Sequence, residues 1–246
     1  MDRRELFGAV GALGAVPVCG AMNSAEAADH GDKDGGPLSK PHFHVCGIHM
    51  AKTNKNLQFI TQHYCTGHFK VKKDGKESKE EIDIFQCVLF DGTGQNARLI
   101  GVEYIITDEV YQSLPDKEKK YWHPHTYEVL GGGLIAPGME AAKEKEFMKF
   151  VLTTWGKAWH TWPNLKDSIP MGDPLLIWSL MADDQVDQKV LAARDKQFDV
   201  NTKKIREARC NDLGYEVPNV SFPENENKAG RQWNDKGDDK PTPKKK

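Results

Sequence analysis

The chain has 246 residues, 38% hydrophobic and 28% charged, a globular make-up long enough for one core or two small ones. Six Trp, six Tyr and ten Phe supply large apolar side chains to bury. A formal charge of -2 gives no global attraction to nucleic acid or anionic membrane, so neither is an expected partner.

Residues 1–27 read as an export signal. Arg3 and Arg4 precede Leu6-Phe7, and a mildly apolar run follows from Gly8 to Met22. Interrupted by Pro17, that run is too short for a membrane span of about 20 apolar residues, and no transmembrane segment is expected in the mature chain. Ala25-Glu26-Ala27 fits the small-x-small cleavage rule, which places the cut after Ala27. The Arg pair resembles the twin-arginine signal, an address read by export machinery that carries folded proteins. An ordinary secretory signal is the alternative, and either implies a periplasmic or secreted protein. Cys19 lacks the preceding residues of a lipoprotein signal. After cleavage Cys46, Cys65, Cys87 and Cys210 remain, without a CxxC pair, and no disulfide framework can be read from them. Cys87, between Phe85 and Leu89, reads as a small buried hydrophobe.

Residues 28–41 read as a flexible leader and 219–246 as a disordered, solubilising tail, because neither has the apolar content to offset ordering. Between them, 42–218 reads as one domain. His42 to Met50 and Leu57 to His63 are expected strands, and Lys70 to Glu81, centred on Asp74-Gly75, an exposed hairpin loop. Ile82 to Phe90 and Arg98 to Ile106 are apolar on both faces and should form a central hairpin turned at Asp91-Gly92-Thr93-Gly94. Asp108 can cap a short helix that Pro115 interrupts or restarts. Tyr127 to Leu130 reads as another strand. Glu140 to Trp155 reads as the best helix, with Phe147, Phe150, Val151 and Trp155 at helical spacing and Gly156 as its cap. Lys157 to Trp162 and Leu175 to Leu180 read as strands, Val186 to Phe198 and Asn201 to Arg209 as charged peripheral helices. The expected class is α+β, a mostly antiparallel sheet with packed helices.

Eight of the nine histidines fall between His42 and His160. On a strand, residues two apart share a face, so His123 and His125 can present two imidazoles to one ion, whereas Glu128 needs a turn or bulge to join them. Imidazole with carboxylate suits zinc, iron, nickel or manganese, and three protein ligands with an open position make a catalytic arrangement. Glu103 lies inside the apolar run Leu99 to Ile106 and needs a partner there, since an unpaired buried charge is very costly. Arg98, a Lys or a metal would serve. His160 stands between Trp159 and Trp162, and Met171-Gly172 with Asp173-Pro174 reads as turn chemistry. Gly131-Gly132-Gly133 lacks the Lys-Ser/Thr of a phosphate loop, and no Ser nucleophile elbow occurs.

Arg98-Leu99-Ile100-Gly101-Val102-Glu103-Tyr104-Ile105, Leu114-Pro115 and Trp122-His123-x-His125-x-Tyr127-Glu128-Val129 resemble the oil-body-associated protein family, a domain of unknown function in plants, fungi and bacteria. His44, Cys46, His49, His63, Cys65, Gln86-Cys87, Trp155-Gly156-Lys157 and Pro170-Met171-Gly172-x-Pro174 match it too, in order, from about residue 42 to about 200. The resemblance implies a fold and a shared set of His and Glu positions, and no known reaction. The family's lipid-droplet association in plants is not carried over to an exported bacterial chain.

The leading expectation is a metal-binding domain, and whether it is an enzyme stays open. Its ligand pool is His63, His123, His125, Glu103 and Glu128, with His49, His68 and His160 as lesser candidates. Convergence of three of the clustered histidines, or of two with Glu103, is the arrangement such a site needs. A cupin-like oxygenase or isomerase is one alternative and requires a closed barrel, although the spacing from His125 to Glu128 is short for that motif. A non-catalytic module that binds lipid or another surface is the other, with apolar surface near Trp155 to Trp162 as its signature.

Overall fold

The computed structural model describes residues 43–72, 81–217 and 242–243. The export signal, the leader and the tip of the Lys70 to Glu81 loop lie outside the described residues, as does the tail apart from Thr242–Pro243.

Seven strands carry the domain: β1 (Phe43–Ala51), β2 (Asn54–Lys72), β3 (Glu81–Phe90), β4 (Leu99–Thr107), the short β5 (His123–Pro124), β6 (Thr154–His160) and β7 (Leu175–Ser179). β1 to β4 form an antiparallel meander, β4 pairs β6, β6 pairs β7, and β7 returns to β1. The sheet is therefore a closed six-stranded antiparallel barrel, with β5 added beside the first half of β6. This corrects the expected open sheet of an α+β fold. Strand periodicity marks each strand and its two faces, but closure depends on the distant pairings β4 with β6 and β1 with β7, which no local pattern announces. Sequence neighbours are barrel neighbours throughout, an up-and-down order that differs from the jelly roll of cupins.

Register shifts at Met50/Ala51, Thr66/Phe69 and Leu89/Phe90 bend the strands, as closure of a small barrel requires. Gly101 sits opposite His160 at the closing seam, where a Cβ would strike the Trp159 carbonyl. The central hairpin forms as expected, with Cys87 opposite Glu103 and Val88 opposite Val102. Its interior neighbour is a disulfide between Cys65 and Cys87, directly across β2 and β3. That pairing was not legible in the cysteine spacing.

Phe59, Leu89, Ile105, Ala158 and Ile177 fill much of the barrel interior. α1 (Asp108–Ser113), capped by Thr107 rather than Asp108, stops before Pro115, and α2 (Asp116–Lys119) starts after it. α1 packs Tyr111 on the outer residues Ile106 and Trp155. Two further expectations are corrected. Thr126–Leu130 is a helical turn, α3, not a strand: all five residues are buried, so no one-sided period distinguishes it. α4 runs over Ala141–Val151 and ends at Leu152, and Trp155 and Gly156 belong to β6. Trp155 is buried by its place on a strand, which extended the apparent helical stripe.

α5 (Gln188–Phe198) and α6 (Thr202–Leu213) complete the shell, much as expected. α3, α4 and α6 pack with Val45, Val129, Leu130, Met148 and Val151 in a second core. Buried Arg194 donates to the carbonyls of Gly132 and Gly133, and Arg209 to those of Val129 and Leu134. These two side chains fix the loop after α3, and α3 carries Glu128. No helix among the described residues is long and apolar enough to cross a membrane. A two-residue ribbon, β8 (Tyr215–Glu216) with β9 (Thr242–Pro243), ends the described chain.

Candidate metal centre

Strand register decides which side chains enter the barrel. His49 faces Phe59 across β1 and β2, and His63 faces Val45, which sets both imidazoles on the inner surface. Glu103 on β4 lies opposite Ala158 on β6, and His160 opposite Gly101, on that same surface. His123 enters from β5 opposite Gly156, and His125 follows at the N-terminus of α3. All six side chains are buried.

Glu103 is the hub. Its Oε2 lies 2.9 Å from His63 Nε2 and 3.8 Å from His49 Nε2. Its Oε1 lies 3.3 Å from His123 Nε2 and 3.4 Å from His125 Nε2. His49 and His63 approach Nε2 to Nε2 at 2.9 Å, and His49 Nδ1 meets His160 Nε2 at 3.0 Å. Donor atoms this far apart match the edges of a coordination polyhedron, roughly 3.0–3.5 Å when metal–ligand bonds are about 2.1 Å.

The tautomer of His125 sharpens the case. With the Thr154 hydroxyl donating to the Val151 carbonyl, its oxygen accepts from His125 Nδ1–H at 2.8 Å; with the hydroxyl turned to Nδ1, the ring's Nε2–H donates to Glu103 instead. In the first arrangement the Nε2 of a neutral His125 is a bare lone pair facing a carboxylate oxygen. Only a proton or a metal cation between the two removes that repulsion. Gly156 supplies the space: a Cβ there would lie on Glu103 Oε1 and 2.7 Å from Nε2 of both His123 and His125. The rings and carboxyl around the chamber also carry buried polar atoms without a hydrogen-bond partner, namely His63 Nδ1, both nitrogens of His123, His160 Nδ1 and Glu128 Oε1. His123 Nε2 is thus near Glu103 but out of line for a hydrogen bond.

Burial pushes the Glu103 carboxyl up, but contacts from His123, His125 and His63 outweigh it and hold the group well below the usual range. Burial, reinforced by His63, carries His49 well below its ordinary value. Burial lowers His123 despite Glu103, and pushes His160 down to about 3 with help from His63. Glu128 moves the opposite way, raised by burial and by the Glu103 charge. The two carboxyls are therefore pushed in opposite directions, Glu103 toward the ionised form and Glu128 toward the protonated one, the kind of division that assigns acid and base roles in enzymes. Glu128 shares a small cavity of about 20 Å³ with His63, Glu103 and His125, walled by Phe43, Val45, Leu134, Phe147 and Val151. That is room for about one water.

Of the residues singled out in the sequence, His63, His123, His125 and Glu103 come together, and Glu128 faces their cavity through the turn that α3 provides. His49, ranked lower, stands among them, and His160 supports it through Nδ1. His68 lies on β2 where only the backbone is described. His44 points away, stacked on Tyr64 and bonded to Gln62. Arg98 does not serve Glu103; it pairs with Asp91 at 2.6 Å. Gly156, read as a helix cap, was missed as the space-maker.

A family model described as "Protein of unknown function (DUF1264)" matches residues 36–212. The chain belongs to this family. Curated relatives carry the name that the motifs resembled. Oil body-associated protein 1A of Zea mays is 37% identical, over 71% of this chain and 68% of the relative. Oil body-associated protein 1B of Arabidopsis thaliana is 32% identical, over 74% and 70%. Oil body-associated protein 2A of Zea mays is 30% identical, over 71% and 66%. No solved structure matches the chain.

Proposed function

We propose that this member of the DUF1264 family is an exported metalloprotein. Its chamber holds a divalent transition metal, one of zinc, iron, nickel or manganese, on Glu103, His63, His123 and His125 with His49 as a further ligand. One observation carries the reading: buried imidazoles converge on both oxygens of Glu103 in two three-ligand sets, beside a gap that Gly156 keeps open. A metal there supplies a Lewis acid that lowers the pKa of bound water. Glu128, on the cavity wall with an unpartnered oxygen, is placed to take or give a proton at that water-sized space. The reaction class this fits is metal-assisted chemistry on a small ligand.

A second reading, docking to an apolar surface without catalysis, is favoured by Leu99, Val102 and Tyr104, exposed on the outer side of β4. The relatives' name, oil body-associated, points the same way. Trp155, where that signature was expected, is buried. Elemental analysis and native mass spectrometry of protein purified without an affinity tag separate the readings. Near-stoichiometric metal is expected. Folded protein without metal would remove the first reading, and co-purifying lipid in such protein would install the second.

The Cys65–Cys87 disulfide suits an oxidising destination, as export by either kind of signal would give. Replacing Arg3 and Arg4 by lysine is expected to leave a full-length, folded precursor inside the cell, seen by fractionation and immunoblot. Export at the normal rate would return the signal to the ordinary secretory class.

A further inference from the structure

The two oxygens of Glu103 serve different partners. Oε2 faces His49 and His63, which come from the β1–β2 hairpin, and Oε1 faces His123 and His125, which come from β5 and the start of α3. Each oxygen with its two imidazoles forms a three-ligand set whose donor atoms lie within 4.8 Å of one another. The His49 and His123 ring centroids stand 6.4 Å apart, each nearer a different oxygen of the carboxylate.

Building on the metal reading above, we propose that Glu103 bridges two metal ions, one held with His49 and His63 and the other with His123 and His125. A single ion leaves one half unserved: at the Oε2 side it leaves His123 and His125 on Oε1 without a cation, and at the Oε1 side it leaves His49 and His63 sharing one proton, Nε2 to Nε2, at 2.9 Å. A carboxylate using one oxygen per ion matches the spacing of about 3.5–4 Å found in two-metal sites. Supporting contacts exist on both sides. His160 holds His49 Nδ1, and Thr154 holds His125 Nδ1, so each ring turns its Nε2 to the carboxylate. Three protein ligands per ion leave open positions, and the cavity of about 20 Å³ touches His63 on one side and His125 on the other. Its ligand is therefore a water-sized oxygen donor, hydroxide or water, between the ions. Glu128 Oε1 faces that cavity without a partner and is placed to accept a hydrogen bond from the oxygen donor there.

Titration of the chelator-stripped full chain with Mn(II), and separately with Zn(II), tests this by elemental analysis after desalting. Two equivalents per chain are expected. At saturation the Mn(II) electron paramagnetic resonance signal should show spin coupling, absent at well-separated sites. The His123→Ala variant should retain one equivalent and lose the coupling. Saturation of the wild-type chain at one equivalent overturns the bridge and leaves the metal reading standing. Two equivalents without coupling also overturn it, and no binding of Mn(II), Zn(II), Fe(II) or Ni(II) in parallel titrations overturns both. The wild-type titration decides the matter even if the variant fails to fold.

Discussion

Alanine in place of Gly156 is expected to abolish metal retention on the His123 and His125 side while leaving the barrel folded. The added methyl would occupy the position between Glu103 Oε1 and the two Nε2 atoms. The three atoms nearest to it are side-chain ends, not backbone, so the strands need not part. Glu103 is the flexible partner and swings away, and its departure removes the carboxylate that the imidazoles share. Overpacking of this kind costs about 1–3 kcal/mol, within the reserve of a domain stable by about 5–15 kcal/mol. The loss of affinity should be on the order of 100-fold or more, since even changes behind the ligands cost 10- to 100-fold. Gly94→Ala is the control, because a Cβ there meets nothing within 4 Å. Elemental analysis with circular dichroism of both variants checks the result. A folded Gly156→Ala protein with undiminished metal would show that the gap has no ligand to house.

The same residue shows where sequence reasoning stops. His123, His125 and Glu103 were legible because alternation on a strand and the cost of a buried charge are local rules. Gly156 was read as the end of a helix because Phe147, Phe150, Val151 and Trp155 keep a helical period. The chain leaves that helix at Leu152, and Trp155 continues the stripe by chance of burial on β6. The role of Gly156 appears only once β5 lies beside β6 with His123 opposite it, a long-range pairing. His49 was ranked low for a like reason. Its inward direction follows from the β1–β2 and β1–β7 registers, and its apolar neighbours allow either face. Glu128 was recognised as odd-spaced from the histidines, but the turn that redeems the spacing lies in a fully buried run with no period to reveal it. Barrel closure itself rests on two pairings, each between strands far apart in the chain.

The metal-free protein is expected to lose stability steeply below pH 6.5. His49, His123 and His160 are buried with their pKa values lowered, so they stay neutral in the folded chain, whereas the unfolded chain protonates them near 6.5. The unfolded state then binds more protons, and stability falls as pH falls. Each proton is worth about 1.4 kcal/mol per pH unit, and three give a limiting slope of about 4. Glu128 opposes them. Its raised pKa keeps a proton in the folded state that the unfolded chain releases above 4.5, so its contribution is full below 4.5 and is lost as pH rises. Between pH 4.5 and 6.5 the lowered histidines outnumber Glu128, so stability falls toward acid by up to about 3 kcal/mol per unit. Glu103 adds to acid sensitivity lower down: its depressed pKa contributes stability above 4.5 that disappears as pH drops further. Denaturant unfolding of the stripped protein at pH 6.5, 5.5 and 5.0 measures the slope. The Glu128→Gln variant should be steeper, near 4 kcal/mol per unit, because the opposing proton is gone. A flat profile across that window would mean that the imidazoles take up protons in the folded chamber, and an unchanged slope in Glu128→Gln would mean that Glu128 is already ionised beside Glu103.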